Sequence, residues 1–284
     1  MIKGADMAGT VVVGVDGSGP SLLAVRWAVR EADLVGAGLS VCCVAIEDAR
    51  GRPMLWTSPQ LVRRDATDIA EQAVDQAADE CADVDVSVNV VVGDVVPALT
   101  AAAAGSDLLV VGCRGLGAFS GLLLGSVSER LVRHPPGPVV VVRGNSSAWA
   151  GPVLVGVDDA PETARAVEFA AAAADRRRVP LVALTAAPPV WPAPPAAFPV
   201  ESASSSDGVM AVLRDVQEDG LGPALAHHPS VSVEHRTMLA GAASSLIEAS
   251  SGCGLVVVGA GRSGLLGSVA GHVVRHAACP VAVV

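Results

Sequence analysis

A glycine-rich segment in the first half of the chain has the residue types of a site that binds an anion. Gly112–Gly115 opens the segment, and Gly125-Ser126 closes it where a helical pattern begins. Glycine lets the backbone approach a ligand closely, and the start of a helix offers free N–H groups and a favourable dipole. Ser128 and Ser126 add hydroxyl donors, and Arg114 adds a positive charge. This combination suits a polyphosphate.

The same residues also allow an interpretation without a ligand. Ser126-Val-Ser-Glu129 matches a capping box, in which side chains satisfy the free N–H groups of the helix. A second candidate, Asp16, ends an apolar run before a Gly/Ser turn. It can accept a hydrogen bond from a ribose hydroxyl or an adenine amine, or it can only bond its own turn. The residues alone leave these alternatives open.

Strand and helix patterns alternate along the first half. The predicted strands are Val11–Val15, Leu39–Ile46, Val84–Val92, Leu108–Val111 and Val139–Val142. The predicted helices open at Pro20, Asp65, Val95 and Ser126 and end near residues 34, 82, 104 and 134. Uniformly apolar strands separated by helices predict an α/β fold with a parallel, doubly wound sheet. Ligands of such sheets bind beyond the carboxyl ends of the strands, where Asp16 and the glycine-rich segment both fall.

Several residues have predicted structural roles. Leu23, Trp27 and Leu34 recur at helical spacing and are expected to face the core. Cys42-Cys43 lies in an apolar strand, and both residues are expected to be small buried apolar side chains. Arg176–Arg178 is expected at the end of a helix, where positive charge complements the dipole.

The chain repeats itself. Val11–Asp16 returns as Val153–Asp158, and the shift is 142 residues (158 − 16). Gly125 returns as Gly267 with the same shift (267 − 125). The repeats predict two tandem domains, 1–146 and 151–284, with a junction at 144–151. In the second domain, the Pro- and Ser-rich region 186–206 is expected to be a mobile loop.

The glycine-rich segment resembles the nucleotide loop of ATP-binding universal stress proteins. Gly112-x2-Gly115-x9-Gly125-Ser126 matches the pattern G-x2-G-x9-G-[ST] of that family, and the opening Val-Gly-Val-Asp16-Gly-Ser is similar to its first strand. The resemblance covers nearly the whole chain as two copies and is greatest to tandem members of the actinobacterial type. It implies two five-stranded, Rossmann-like domains (adenine-nucleotide α-hydrolase-like) with helices on both faces of each sheet.

The resemblance also implies ATP as the ligand, with Mg²⁺ as an optional companion. Adenine is expected near the first two strands and the phosphates on the glycine-rich segment. The expected contacts in the first domain are Gly14, Asp16, Val44, Gly112, Cys113, Arg114, Gly115, Leu116, Gly117, Ala118, Gly125, Ser126, Val127 and Ser128. The corresponding residues in the second domain are Gly156, Asp158, Gly259, Gly261, Arg262, Gly267, Ser268 and Val269. No catalytic residue and no metal ligand is predicted.

The second copy of the segment departs from the family pattern. Gly259 to Gly267 spans 8 positions (267 − 259), whereas Gly112 to Gly125 spans 13 (125 − 112). Arg262 also replaces the glycine expected three residues after Gly259. The second site is therefore expected to bind ATP weakly or with altered geometry, or to serve only as scaffold.

The expected function is that of a nucleotide-dependent regulator in stress adaptation or growth control. The alternatives are a ligand-free protein-interaction module, or a slow ATP-hydrolysing or adenylyl-transferring enzyme of the related fold. The resemblance implies that domains pair through their last strands, within the chain or in a homodimer. The sequence does not indicate which regulatory protein is the partner.

Composition narrows the class of partner and the compartment. A net charge of −10 without a stripe of Lys and Arg argues against nucleic acid. No apolar run reaches the roughly twenty residues that a membrane span needs. The six cysteines form no C-x-x-C pair, and the start of the sequence lacks the apolar core of a signal peptide. These features predict a cytoplasmic protein without a membrane segment.

Overall fold

A computed structural model describes residues 9–46, 59–116, 123–144, 149–188, 206–261 and 269–284. The chain divides into two compact units, Met1–Ser146 and Ser147–Val284. The expected sites at Gly117, Ala118, Arg262, Gly267 and Ser268 lie outside the described residues.

The first unit contains five strands and four helices within its described ranges. They are β1 Thr10–Val15, α1 Gly19–Val35, β2 Gly38–Ala45, α2 Pro59–Glu80, β3 Val86–Val92, α3 Val95–Ala102, β4 Leu108–Gly112, α4 Ser126–Arg133 and β5 Val139–Val142. The strands pair in parallel in the order β3-β2-β1-β4-β5. All five predicted strands are present, and α2 begins at Pro59 rather than at the predicted Asp65.

The second unit repeats this architecture. Its elements are β6 Val153–Gly156, α5 Thr163–Arg177, β7 Leu181–Ala187, α6 Ser206–His227, β8 Val233–Leu239, α7 Ala242–Ala249, β9 Leu255–Val258, α8 Val269–His276 and β10 Val281–Val283. The parallel order within the unit is β10-β9-β6-β7-β8. The region 186–206 was predicted to be a mobile loop, but β7 takes its first two residues and α6 begins at its last. Residues 189–205 lie outside the described ranges.

Helices cover both faces of each sheet. In the first unit α1 packs against α2, and α3 packs against α4. In the second unit α5 packs against α6, and α7 against α8. Right-handed crossovers place the two helix pairs on opposite faces, because the chain moves one way from β1 to β3 and the other way from β4 to β5. The predicted doubly wound α/β fold is confirmed.

Small residues make the interface between α1 and the sheet. Trp27 is buried, as predicted, but Leu23 and Leu34 are 39% and 37% exposed. The prediction for these two leucines is wrong because alanine and valine occupy the face toward the strands. The buried apolar residues of α1 are Ala24, Val25, Trp27, Ala28, Val29 and Ala32. Apart from Trp27, the large apolar side chains of α1 therefore did not mark its buried face.

The adjacent cysteines of β2 belong to the core. Cys42 and Cys43 are 0% and 2% exposed. Burial raises the pKa of both thiols to about 11, and for Cys43 the nearby Cys42 and Asp16 add to the effect. The prediction that both are small buried apolar residues is confirmed, and neither is a reactive thiol near neutral pH.

Candidate functional site

Two segments meet at the carboxyl edge of the first unit's sheet. Strand β1 pairs with β2 on one side and with β4 on the other, so the order of connection reverses between β1 and β4. Asp16 follows β1, and Cys113 follows β4. Open α/β sheets bind ligands in the crevice at such a reversal. The predicted site residues on both segments are therefore brought together.

The Asp16 carboxylate joins the two segments. Its Oδ1 accepts hydrogen bonds from the N–H of Ser18 (3.0 Å) and the hydroxyl of Ser18 (2.6 Å). Its Oδ2 accepts a hydrogen bond from the N–H of Leu116 (2.9 Å), 100 residues farther along the chain. A side chain at Gly115 would overlap this same oxygen. The glycine at 115 is thus needed for the contact between the turn and the loop.

These bonds keep Asp16 ionised. Partial burial by itself would raise the pKa of the carboxyl, but the bonds from Ser18, Leu116 and Ser21 lower it below the ordinary value of 3.8. A carboxylate oxygen can accept more than one hydrogen bond, so Oδ2 keeps capacity for a ligand hydroxyl or amine. Asp16 can both hold the loop and contact a ligand.

Two serines that were not predicted as site residues complete the turn. Ser18 is the N-cap of α1 and accepts a hydrogen bond from the N–H of Ser21 (3.3 Å), and its Oγ lies 3.4 Å from Arg114 O. The Ser21 hydroxyl donates to Ser18 O (2.9 Å). Ser18 before Pro20 at a helix start is an N-cap pattern that could have identified it.

The first glycine of the loop lies against the start of α1. A Cβ at Gly112 would lie 2.7 Å from the carbonyl atoms of Pro20 and 2.9 Å from Ser21 N, so no side chain fits. The buried Ser128 hydroxyl donates to Gly112 O (2.7 Å). Ser128 was expected to offer this hydroxyl to a phosphate, whereas the structure uses it to fix the start of the loop to α4.

Helix α4 begins without a side-chain cap. Its N-cap is Gly125, whose N–H donates to Cys113 O (2.8 Å), and the Glu129 N–H bonds back to Gly125 O (2.9 Å). The predicted capping box is wrong, because Ser126 is already the first helical residue and no side chain caps the helix. Within the described part of the chain, the N–H groups of Ser126 and Val127 meet no acceptor. This helix start is open to an anion.

The other predicted residues of the first site differ in exposure. Arg114 and Leu116 are exposed, and Cys113 and Val44 are half-buried. Val44 lies near the carboxyl end of β2. Gly14 lies between β2 and β4, where a Cβ would come within 3.0 Å of the Leu99 side chain.

In the described part of the second unit, the Asp158 carboxylate bonds within the turn that follows β6. Asp158 is exposed, and its Oδ1 accepts hydrogen bonds from the Ala160 N–H (3.1 Å) and the Thr163 hydroxyl. Gly156 repeats Gly14, with a Leu246 methyl carbon 3.2 Å from its Cβ position. The Asp158 carboxylate thus takes part in its own turn, and no bond from it reaches the described residues after β9.

Among the described residues, no atom lies closer than 3.7 Å to the Cβ positions of the two glycines after β9, Gly259 and Gly261. A Cβ at Gly259 would lie 3.7 Å from the nearest described atom, which is the Cβ of Glu162. At Gly261, which has φ +73°, nothing lies within 4 Å. Val269 is the first residue of α8 and is partly exposed. The close packing seen around Gly112 is therefore missing around Gly259.

Two kinds of feature are absent from the described ranges. There, no cluster of three or more His, Cys, Asp or Glu residues could hold a metal ion. In the same residues, no helix has both the length and the apolar character to cross a membrane.

Comparison with known sequences decides the family. The sequence profile of the universal stress protein family matches residues 7–143 and again residues 151–284. This chain belongs to the universal stress protein family. The resemblance inferred from the glycine-rich segment is confirmed, as is the tandem arrangement of two family domains.

Relatives of full length support this assignment. A universal stress protein of Mycolicibacterium smegmatis is 35% identical over 298 residues, which covers 100% of this chain and 99% of the relative. One from Mycobacterium tuberculosis is 32% identical and covers 96% of this chain and 95% of the relative. The crystal structure of a universal stress protein from Archaeoglobus fulgidus matches with a TM-score of 0.72 at 19% identity, over 96% of this chain and 97% of that chain. The last comparison shows the shared fold.

Proposed function

We propose that the first unit binds ATP between the Asp16 turn and the loop after β4, and that the chain acts as a nucleotide-dependent regulator. One observation carries the proposal: the uncapped start of α4 lies beside a backbone loop that Asp16 holds in place. A preorganised loop lowers the entropic cost of binding, because the N–H groups that meet the ligand are already positioned.

The phosphate end of the ligand is assigned to the start of α4. The N–H groups of Ser126 and Val127 are available there, and the helix dipole favours negative charge. Arg114, which is exposed on the adjacent loop, adds a cation. A Cβ at Gly125 would lie 3.4 Å from Arg114 Cα and 3.5 Å from Cys113 O, so a side chain at this position would stand beside the loop that takes the phosphates.

The adenosine end is assigned to the carboxyl ends of β1 and β2. Asp16 Oδ2 can accept a further hydrogen bond from a ribose hydroxyl or an adenine amine. The half-buried Val44 offers apolar surface to a base. These residues lie on the strand side of the crevice, opposite the helix start that would take the phosphates.

A nucleotide can regulate a partner protein only if its binding changes a surface that the partner contacts. Leu116 is 72% exposed and Leu123 is 49% exposed, on either side of residues 117–122. A nucleotide bound to this loop would alter the exposure of both leucines, and a partner that contacts them would distinguish the two states.

We propose a role in stress adaptation or growth control and assign no catalytic residue. Domain pairing through last strands, a homodimer and a cytoplasmic location stay predictions.

The alternative is a protein-interaction module that binds no ligand. The local turn of Asp158 favours this alternative for the second unit, because its carboxylate bonds to Ala160 and Thr163 and to none of the described residues after β9. The same argument does not apply to the first unit, where Asp16 bonds to Leu116.

Substitution of Gly125 tests the proposal. Gly125 has φ −78° and space for a side chain, so both Gly125→Glu and the neutral, similarly shaped Gly125→Gln should fold. We expect Gly125→Glu to weaken ATP binding at least about tenfold more than Gly125→Gln, because it places a negative charge beside the phosphates. Equilibrium dialysis with radiolabelled ATP measures this. Equal affinity for the two variants, or no ATP binding by the unmodified chain, would overturn the proposal.

A further inference from the structure

We infer that Glu162 excludes polyphosphate from the second unit, an inference that rests on the nucleotide site proposed for the first unit. Glu162 occupies the position of Pro20 in the repeat, 142 residues later (162 − 20). Both residues stand at the start of the helix that follows the unit's first strand. The second unit therefore carries an acid where the first carries an uncharged residue.

The acid stands beside the origin of the shortened loop. In the first unit, Gly112 packs against the backbone of Pro20. In the second unit, the Cβ position of Gly259 lies 3.7 Å from Glu162 Cβ and 3.8 Å from Glu162 O. A phosphate held by the backbone of residues 260 and 261 would therefore lie near the Glu162 side chain, and two negative charges that close repel each other.

Among the described residues, no group pairs with the Glu162 carboxylate. Glu162 is the N-cap of α5, yet its side chain makes no capping hydrogen bond. Its Oε2 atom is inaccessible to solvent and has no hydrogen-bond partner within the described ranges. A carboxylate oxygen in this state needs a donor, and a phosphate oxygen offers none at neutral pH. A phosphate bound here would place a second hydrogen-bond acceptor beside Glu162 Oε2, which already lacks a donor.

The charges of the two turns differ in the same direction. The first unit has Asp16-Gly-Ser-Gly-Pro20, with one acid whose carboxylate accepts bonds from Ser18 and Leu116. The second has Asp158-Asp-Ala-Pro-Glu162, with three acids, of which Asp158 and Asp159 are exposed. The additional negative charge lies on the turn that corresponds to the ligand-facing turn of the first unit. The two units therefore differ in the charge of this turn as well as in the length of the loop.

The test uses chains in which Gly125→Glu silences the first unit. To this background we add Glu162→Gln, Glu162→Asp or Glu218→Gln, and measure ATP affinity by equilibrium dialysis. Glu162→Gln removes the charge at nearly constant shape and should bind ATP at least about tenfold more tightly than the background. Glu162→Asp keeps the charge and should gain nothing. Glu218 is exposed on α6, so Glu218→Gln changes net charge equally and should also gain nothing.

Two results would overturn the inference. One is equal ATP affinity with and without Glu162→Gln, which would make the shortened loop sufficient to exclude ATP. The other is an equal gain from Glu218→Gln, which would make the effect one of net charge. Glu162→Ser, a favourable N-cap, is a second neutral variant should Glu162→Gln fail to fold, and should show the same gain. Failure of the first-unit proposal is detected separately, by Gly125→Glu against Gly125→Gln with Glu162 unchanged.

Discussion

Asp16 and Asp158 occupy the same place in the repeat, but their carboxylates have different tasks. Asp16 bonds to the N–H of Leu116 across 100 residues of sequence and holds the loop after β4. Asp158 bonds to groups no more than five residues away. An aspartate at the end of the first strand is therefore insufficient evidence for a ligand site, because its role depends on the loop that reaches it.

Contacts that support the sheet persist in both units. Gly14 faces Leu99, and Gly156 faces Leu246, at nearly the same separation. Among the described residues, the second unit lacks a contact that builds the site in the first: a Cβ at Gly112 would lie 2.7 Å from the Pro20 backbone, whereas one at Gly259 would lie 3.7 Å from its nearest neighbour. The comparison indicates that the duplicated domain kept its core and changed its crevice.

The largest expected effect on stability comes from a substitution at Gly112, the first glycine of the loop after β4. Gly112→Ala would place a Cβ 2.7 Å from the Pro20 backbone, which cannot move without displacing α1. We expect the free energy of unfolding of the first unit to fall by about 2 to 4 kcal/mol. Melting temperature and ATP affinity measure the effect.

The matched change in the second unit is Gly259→Ala. Its nearest contact, at 3.7 Å, is ordinary, so we expect a change within about 0.5 kcal/mol. Similar destabilisation by the two alanines would contradict the view that only the first crevice is closely packed.

An effect of intermediate size is expected when Asp16 and Asp158 are each replaced by alanine. Asp16→Ala leaves the Leu116 N–H and the Ser18 groups without their acceptor and should destabilise the first unit by about 1 to 3 kcal/mol. It should also weaken ATP binding about tenfold, since the loop loses its anchor. Asp158→Ala removes only bonds within its turn and should leave ATP affinity unchanged. A loss of ATP affinity from Asp158→Ala would show that the second turn also serves a ligand.

The contribution of Asp16 to the free energy of unfolding should decrease as the pH falls. Its pKa is lowered from 3.8 in the folded protein, so the ionised form is favoured by folding. The stability difference between the unmodified chain and Asp16→Ala should therefore be constant above about pH 5. It should shrink as the pH falls below 3.8 through the lowered pKa. Urea unfolding at several pH values measures this, and a difference that grows in acid would contradict it.

The smallest effect concerns the ends of the first helix in each unit. Gly36 and Arg178 both cap their helix in the left-handed conformation, with φ 66° and 54°. Arg178→Gly should stabilise the second unit by about 0.5 to 1 kcal/mol, and Gly36→Ala should destabilise the first by about 1 kcal/mol. Melting temperatures test both, and a destabilising Arg178→Gly would show that the arginine side chain outweighs its backbone strain.

Sequence patterns predicted the fold well because the strands are short, apolar and repeated. The rule that ligands of such sheets bind beyond the carboxyl ends of the strands also predicted which residues would meet at the edge of the first sheet. The direction of side-chain hydrogen bonds was not predictable, because Ser128 and Asp16 choose partners that lie distant in sequence. The buried face of α1 was misjudged for another reason: alanines, which carry little weight in a hydrophobic pattern, are half of its buried apolar residues.

The central claim is that one unit of the pair binds nucleotide and the other does not. The most direct test is to saturate the purified chain with ATP, remove free ligand, denature the protein and count the nucleotide released. The account predicts about one nucleotide per chain, and none from Gly125→Glu. Two nucleotides per chain, or one that persists in Gly125→Glu, would contradict it.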